Sequence, residues 1–351
     1  MGEIKPLTSL RGIFAIWVVL FHLRAWSELS DTPIFIIDRG YLGVDFFFML
    51  SGFILAARHG AEFTSLFDFN AHIRFLIKRF GRMFPLHWAV LIFVVVSIRL
   101  FDEPTYWWTH IASEAALMHR WDLFYVPRAA LNGPDWSIST EWAANIVFPV
   151  FIAATGFGQR SAPRSLIIAI TFVTTLVLLG WQHGSMDIAE ANSILPLVRC
   201  FAEFGLGIIL FQWKHIFLKL SRDIPSLLLF SVILMGLYLR WDLLVVLTMI
   251  PVLPSLALNR NFLALGLSTT PLYFLGTVSY SIYLIQVPVI TTFDKLLKAS
   301  SFAAIGHWLL VFVVIAIAGL TYRLIEKPAN QFLRSLSKKV GTQHVAQPLA
   351  N

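Results

Sequence analysis

Charge is scarce in this sequence. Only 13% of its 351 residues are Asp, Glu, Lys or Arg, against roughly 25% in an ordinary soluble domain. Cysteine is scarcer still, with Cys200 alone and inside an apolar run, which excludes a disulfide framework. Internal repeats, low-complexity tracts and an appended soluble domain are all missing. A cleavable signal is also missing: Arg11 interrupts the first apolar run, and no small-residue cleavage site precedes Glu28.

Apolar residues make up 57% of the chain, in blocks near the roughly 20 residues needed to cross a bilayer. Windows at 7–26, 40–58, 84–101, 137–157, 165–182, 195–213, 224–240, 242–258, 271–291 and 303–325 predict an all-α polytopic membrane protein of about ten transmembrane helices. Only Arg240, Trp241 and Asp242 separate the seventh window from the eighth, so that pair reads either as a tight hairpin or as one broken element. Residues 1–333 form the expected transmembrane domain, and 334–351 a polar tail with no assigned chemistry.

The net charge of +7 raises the question of a nucleic-acid partner, and its distribution answers it. Alternate loops carry the cations: Arg58, Arg74, Lys78, Arg79 and Arg82, then Arg160 and Arg164, then Lys214, Lys219 and Arg222, then Arg260. The tail adds Arg323, Lys327, Arg334, Lys338 and Lys339. The intervening loops are acidic, with Glu28, Asp31, Asp38, Asp102, Glu103, Glu114, Asp122, Asp135, Asp187 and Glu190. Lys/Arg bias sets membrane orientation, so both termini are expected in the cytoplasm. The expected partner is the lipid bilayer and not nucleic acid. The longest outside loop, 102–136, carries Tyr106, Trp107, Trp108, His110, His119, Trp121 and Tyr125, readable as an interfacial aromatic belt or as a lid with platforms for a sugar.

Ionisable groups inside the membrane mark function. Arg11 and His22 are eleven residues apart, which places them within roughly 20° on one helix face and about 16 Å apart in depth. Asp45 and Glu141, near the outer starts of the second and fourth spans, fall at about the depth of His22. A carboxylate beside an imidazole fixes its tautomer and raises its basicity, as a general base requires. Asp45 also reads as a helix-start acid favoured by the dipole. Arg199 and Glu203 at i, i+4 read first as an internal ion pair. Arg79 and Arg82, three apart at the start of the third span, offer guanidinium forks suited to phosphate, or simple anchoring to anionic lipid.

These residues together resemble the acyltransferase-3 family of bacterial membrane O-acyltransferases, over nearly the whole chain. The motifs run in order: Leu7-Thr8-Ser9-Leu10-Arg11-Gly12 with His22; Gly43-Val44-Asp45-Phe46-Phe47-Phe48 into Ser51-Gly52-Phe53; Arg79-x-x-Arg82-x-x-Pro85; Trp136-Ser137-Ile138 with Glu141; Gly276-x-x-Ser279-Tyr280-Ser281-x-Tyr283-Leu284; and Glu326-Lys327-Pro328. The resemblance implies transfer of an acyl group, commonly acetyl, from cytosolic acyl-CoA to a hydroxyl of a glycan, lipid-linked sugar or small metabolite. It makes His22 the catalytic histidine, Arg11 its partner on the same helix, and Arg79 and Arg82 donor-side residues. The depths read above fit Arg11, Arg79 and Arg82 on the phosphates of acyl-CoA. His22 then either deprotonates the acceptor hydroxyl, the favoured reading with Asp45 or Glu141 to orient it, or carries the acyl group itself. Trp136, Ser137, Tyr280 and Gln286 become candidate lining residues. It implies a bacterial cytoplasmic membrane, and neither a metal nor a permanently bound cofactor is expected. Many members have His where this chain has Gln286, and Gln carries no proton at neutral pH. The chain stops before the soluble C-terminal domain that some members add, so the membrane domain or a separate protein is expected to serve the acceptor. A proton-coupled transporter or flippase is the alternative, without the internal repeats that many transporters carry.

Overall fold

A computed structural model describes residues 4–25, 33–63, 68–101, 108–121, 130–158, 162–188, 194–258, 261–297 and 303–342. Among these every regular element is helical. In chain order they are α1 (Lys5–Ala25), α2 (Gly43–His59), α3 (Phe69–Phe101), α4 (Trp108–Ala115), α5 (Trp136–Ile146), α6 (Phe148–Ala154), α7 (Ala162–His183) and α8 (Leu195–Gln212). There follow α9 (Asp223–Tyr238), α10 (Asp242–Ala257), α11 (Phe262–Leu267), α12 (Thr270–Thr277), α13 (Ser279–Leu297), α14 (Ala303–Thr321) and α15 (Lys327–Thr342).

Six helices among the described residues are long and apolar enough to cross a membrane, or eight if each of two bent pairs is one span. The pairs are α5 with α6, bent by 59°, and α12 with α13, bent by 66°. The windows at 137–157 and 271–291 implied continuous helices. Pro149 explains the first break, because a residue without an N–H fits a helix's first turn and not its interior. Residues 224–258 resolve into a hairpin of two 16-residue apolar helices, α9 and α10. Arg240 turns between them at φ 56°, a left-handed conformation that suits an abrupt reversal. The third helix begins at Phe69, well before the window at 84, because apolarity marks only the part of α3 fit for lipid.

Large apolar side chains such as Ile167 and Trp181 of α7, Leu228 of α9 and Phe312 of α14 are exposed, which fits faces that meet acyl chains and not water. Inside, two contacts set the helix packing. Gly12 of α1 lies against Gly276 of α12, and a Cβ at Gly276 would coincide with the Thr8 carbonyl. Gly52 of α2 and Gly207 of α8 likewise meet backbone, of Phe204 and Met49 respectively. Small residues let helices in lipid approach this closely, which gives three motif glycines a structural reason.

Candidate active site

A cavity of about 840 Å³ is bounded by α1, α2, α3, α5, α13 and α15. Its wall carries eight cations, Arg11, Arg58, Lys78, Arg79, Arg82, Lys327, Arg334 and Lys338, against two acids, Glu141 and Glu326. The wall is therefore strongly positive. Arg11, Arg79, Arg82, Ser137, Glu141 and Tyr280, all singled out from sequence, line it together.

The two arginines of α3 are held differently. Arg79 donates from Nη2 to Glu141 Oε1 at 2.8 Å and from Nε to Asn145 Oδ1 at 2.9 Å, and Ser51 Oγ donates to the same Glu141 oxygen at 2.5 Å. Most of that fork is thus used within the protein. Arg82 is looser: its Nη1 lies 3.7 Å from Glu326 Oε1, beyond a hydrogen bond, and its guanidinium sits 6.0 Å from the centre of the Tyr280 ring. Glu326 is fixed instead by Ser281 Oγ at 2.8 Å. A π-helical turn, Tyr322–Glu326, presents it, just ahead of Pro328, whose missing N–H interrupts the α ladder.

At the inner end, Ser137 Oγ and Tyr283 OH are 2.7 Å apart, so one donates to the other while the second donates to the Pro134 carbonyl, which lies 3.1 Å from Ser137 Oγ and 3.0 Å from Tyr283 OH. Tyr283 is the last α13 residue on the wall. Gln286 follows three residues on, about 4.5 Å along the axis, and its side chain stands against the His22 ring. Neither lines the cavity. His22 Nδ1 is 3.0 Å from the Val18 carbonyl. A carbonyl only accepts, so a neutral ring carries its proton on Nδ1 and its lone pair on Nε2. Gln286 Nε2 donates to the Tyr283 carbonyl at 3.0 Å, and its Oε1 has no hydrogen-bond partner among the described residues.

The carboxylates expected to orient His22 are engaged elsewhere. Asp45 is fully buried and takes a two-pronged pair from Arg199, at 3.0 Å from Nε and 2.5 Å from Nη2. Arg199 also donates to the Met186 carbonyl at 2.7 Å and lies 5.8 Å from the Trp136 ring centre. Its i+4 neighbour Glu203, expected as the main partner, is 3.6 Å away. Bidentate geometry across α2 and α8 wins over local spacing. Glu141 is held by Arg79 and Ser51. The backbone of α1 itself fixes the His22 tautomer.

Sequence reasoning missed the tail. Asn330, Gln331, Arg334, Ser337 and Lys338 of α15 line the cavity, and helical spacing along 327, 331, 334 and 338 was the available signal. The aromatic loop divides. Trp108 is exposed, whereas His110 and His119 are buried; Tyr106, Trp107 and Tyr125 lie outside the described residues.

The family described as "Acyltransferase domain" matches residues 5–323. The chain is 24% identical to the putative peptidoglycan O-acetyltransferase YrhL of Bacillus subtilis (strain 168), over 96% of this chain and 56% of that one. It is 25% identical to the acyltransferase MdmB of Streptomyces mycarofaciens, over 94% of this chain and 92% of that one. It is also 25% identical to the O-acetyltransferase OatA of Staphylococcus aureus, over 93% and 57%. The chain thus spans little more than half the length of YrhL and OatA. No solved structure matches it.

Proposed function

The chain belongs to the acyltransferase-3 family, and from that premise we propose that it is a membrane O-acyltransferase moving an acetyl group from cytosolic acyl-CoA to a hydroxyl of a glycan. The observation that carries the reading is the cation-walled cavity running towards an imidazole whose Nε2 is left basic. Arg82, Arg11 and Arg334 take the phosphates of CoA at the mouth. The pantetheine arm then extends along the apolar α2 wall of Val44, Phe47 and Phe48 and passes Tyr283 to bring the thioester to His22.

His22 Nε2 removes the acceptor hydroxyl proton as that oxygen attacks the thioester carbonyl. The tetrahedral intermediate collapses with cleavage of the C–S bond, and the imidazolium returns the proton to the CoA thiolate. Gln286, whose side chain stands against the His22 ring, holds the imidazole in place while the proton passes. This gives Gln a role at a position where a second titrating His is unnecessary. Asp45 serves the reaction only by holding α2 to α8. Glu141 serves it by setting Arg79.

The membrane topology proposed is ten spans with both termini cytoplasmic, in a bacterial inner membrane. It follows if the six long helices, the two bent pairs and the hairpin of α9 and α10 all cross. The similarity to YrhL, a putative peptidoglycan O-acetyltransferase, makes peptidoglycan-type glycans the acceptors to test first. The transporter reading is not favoured, since Asp45 and Glu141, two of its three proton carriers, are tied into ion pairs. The test uses the purified chain in nanodiscs with radiolabelled acetyl-CoA and glycan acceptors. Transfer by the native chain and none by His22→Ala, with CoA binding preserved in both, is the expected result. Undiminished transfer by His22→Ala overturns the mechanism.

A further inference from the structure

Away from the cavity, α4 folds back along α3. His87 Nε2 donates to the Glu114 carbonyl at 2.8 Å and Trp88 Nε1 to the Ala115 carbonyl at 2.9 Å. The end of α4 therefore lies level with His87, fourteen residues short of the end of α3, or about 21 Å down its axis. The chain then passes in front of α5, where Ser139 Oγ donates to the Leu117 carbonyl at 2.8 Å and Trp121 Nε1 to the Ser139 carbonyl at 2.9 Å.

Under this fold-back lie Glu114, His119 and Asp135, at most 5% exposed, each offering one donor atom within 4.8 Å of the other two. Glu114 Oε2, both Asp135 oxygens and both His119 nitrogens have no hydrogen-bond partner among the described residues. The carboxylates flank His119 on two sides: Nε2 is 3.4 Å from Asp135 Oδ1 and Nδ1 is 3.7 Å from Glu114 Oε2, so an ion would meet one of these nitrogens and not both. Hydrogen bonds between such atoms would be near 2.8 Å. Donors around a tetrahedral zinc, with bonds of about 2.0–2.1 Å, stand roughly 3.3–3.4 Å apart.

His87 sharpens the point. Its Nε2 is committed to the Glu114 carbonyl, so a neutral ring turns a lone pair from Nδ1 towards Asp135 Oδ2, 3.8 Å away. Two lone pairs facing each other in a buried site call for a cation between them. Arg120 is near Asp135 and His119 and balances one of the two carboxylates. The other carboxylate then needs a proton or a metal cation in this dry interior, where an unpaired charge is costly. Mixed imidazole and carboxylate donors suit zinc and its neighbours better than calcium or magnesium, which take oxygen alone.

We propose that Glu114, His119 and Asp135 bind a divalent zinc-class ion through one nitrogen of His119, with His87 Nδ1 facing Asp135 Oδ2 beside the site. The ion is structural. None of the four lines the cavity, and together they pin α4 and residues 116–121 onto α3 and α5. His110, with Nε2 3.6 Å from Glu114 Oε1, supports the Glu114 carboxylate from behind.

The test is metal analysis of the chain purified in detergent through a tag without histidine, in buffers free of chelator. About one zinc per chain is expected for the native protein and less than about a fifth for Glu114→Gln with Asp135→Asn, since loss of two ligands removes most affinity. A Glu203→Gln control should keep its metal. Should the double variant fail to fold, the native chain decides alone: a strong chelator should lower its melting temperature, and zinc should restore it where magnesium does not. A native chain that holds no metal after incubation with zinc, and melts identically with chelator, overturns the proposal. The cluster would then be a proton-sharing network.

Discussion

Asp45 and Arg199, 154 residues apart in sequence, close a buried two-pronged ion pair that bolts α2 to α8. The pair sits behind the Phe46–Phe48 run that forms part of the cavity wall. Removing one partner leaves an uncompensated charge in the core, a loss of about 3–5 kcal/mol. Arg199→Ala is therefore expected to depress the melting temperature in detergent more steeply than Asp45→Ala, which leaves Arg199 with Glu203 at 3.6 Å, and without additivity in the double variant. Normal stability with lost transfer in Asp45→Ala would instead give Asp45 a direct part in the chemistry.

At His22, replacement by Ala should lower kcat by about 10²–10⁴-fold, the usual worth of a general base. CoA affinity should be unchanged, read by single-turnover transfer alongside calorimetry.

Gln286→Leu removes the polar side chain that positions the His22 ring and should lower kcat by about 10–100-fold. Gln286→His should retain much of the activity, because His also presents a polar side chain at that place. Measuring kcat and KM separately distinguishes this role from acceptor binding, which would move KM.

At the mouth, Arg82→Ala and Arg334→Ala should each weaken CoA binding by about 10–100-fold, with a shallower dependence of Kd on salt. Arg79→Ala should in addition disturb Glu141, and Glu141→Gln should recover part of that loss. Equal CoA affinity in all variants would reduce the cations to membrane anchors.

Gly276→Ala drives a methyl group into the Thr8 carbonyl. With backbone on the other side there is no flexible neighbour to yield, and overpacking costs about 1–3 kcal/mol or more. Poor accumulation of folded protein is expected, measured by gel filtration in detergent. Gly266→Ala, where a Cβ meets nothing within 4 Å, is the matched control.

Periodicity and spacing made the apolar helices legible, as well as the cationic character of Arg11, Arg79 and Arg82. The place of Glu141, expected beside His22 and found on Arg79, was not legible. What stayed hidden was pairing across the fold. Arg199 and Glu203 advertise themselves at i, i+4, whereas Asp45 can be matched to Arg199 only once α2 lies on α8. Depth arithmetic put Asp45 level with His22 but could not tell which side of α2 faced α1. The bends at Val147 and Val278 left no mark on apolarity, and the tail read as polar residues without chemistry because the cavity its charged face fronts is formed by distant parts of the chain.

The π turn at Tyr322–Glu326 holds one residue more than an α turn would, and that surplus sets the angular phase of everything after it. Excising a single residue there, such as Leu324 with its exposed side chain, would let the helix rewind at regular pitch and swing α15 by roughly 100°. Lys327, Arg334 and Lys338 would then rotate off the rim together. The electrostatic character of the opening is thus encoded in helix register as much as in the identity of any charged residue.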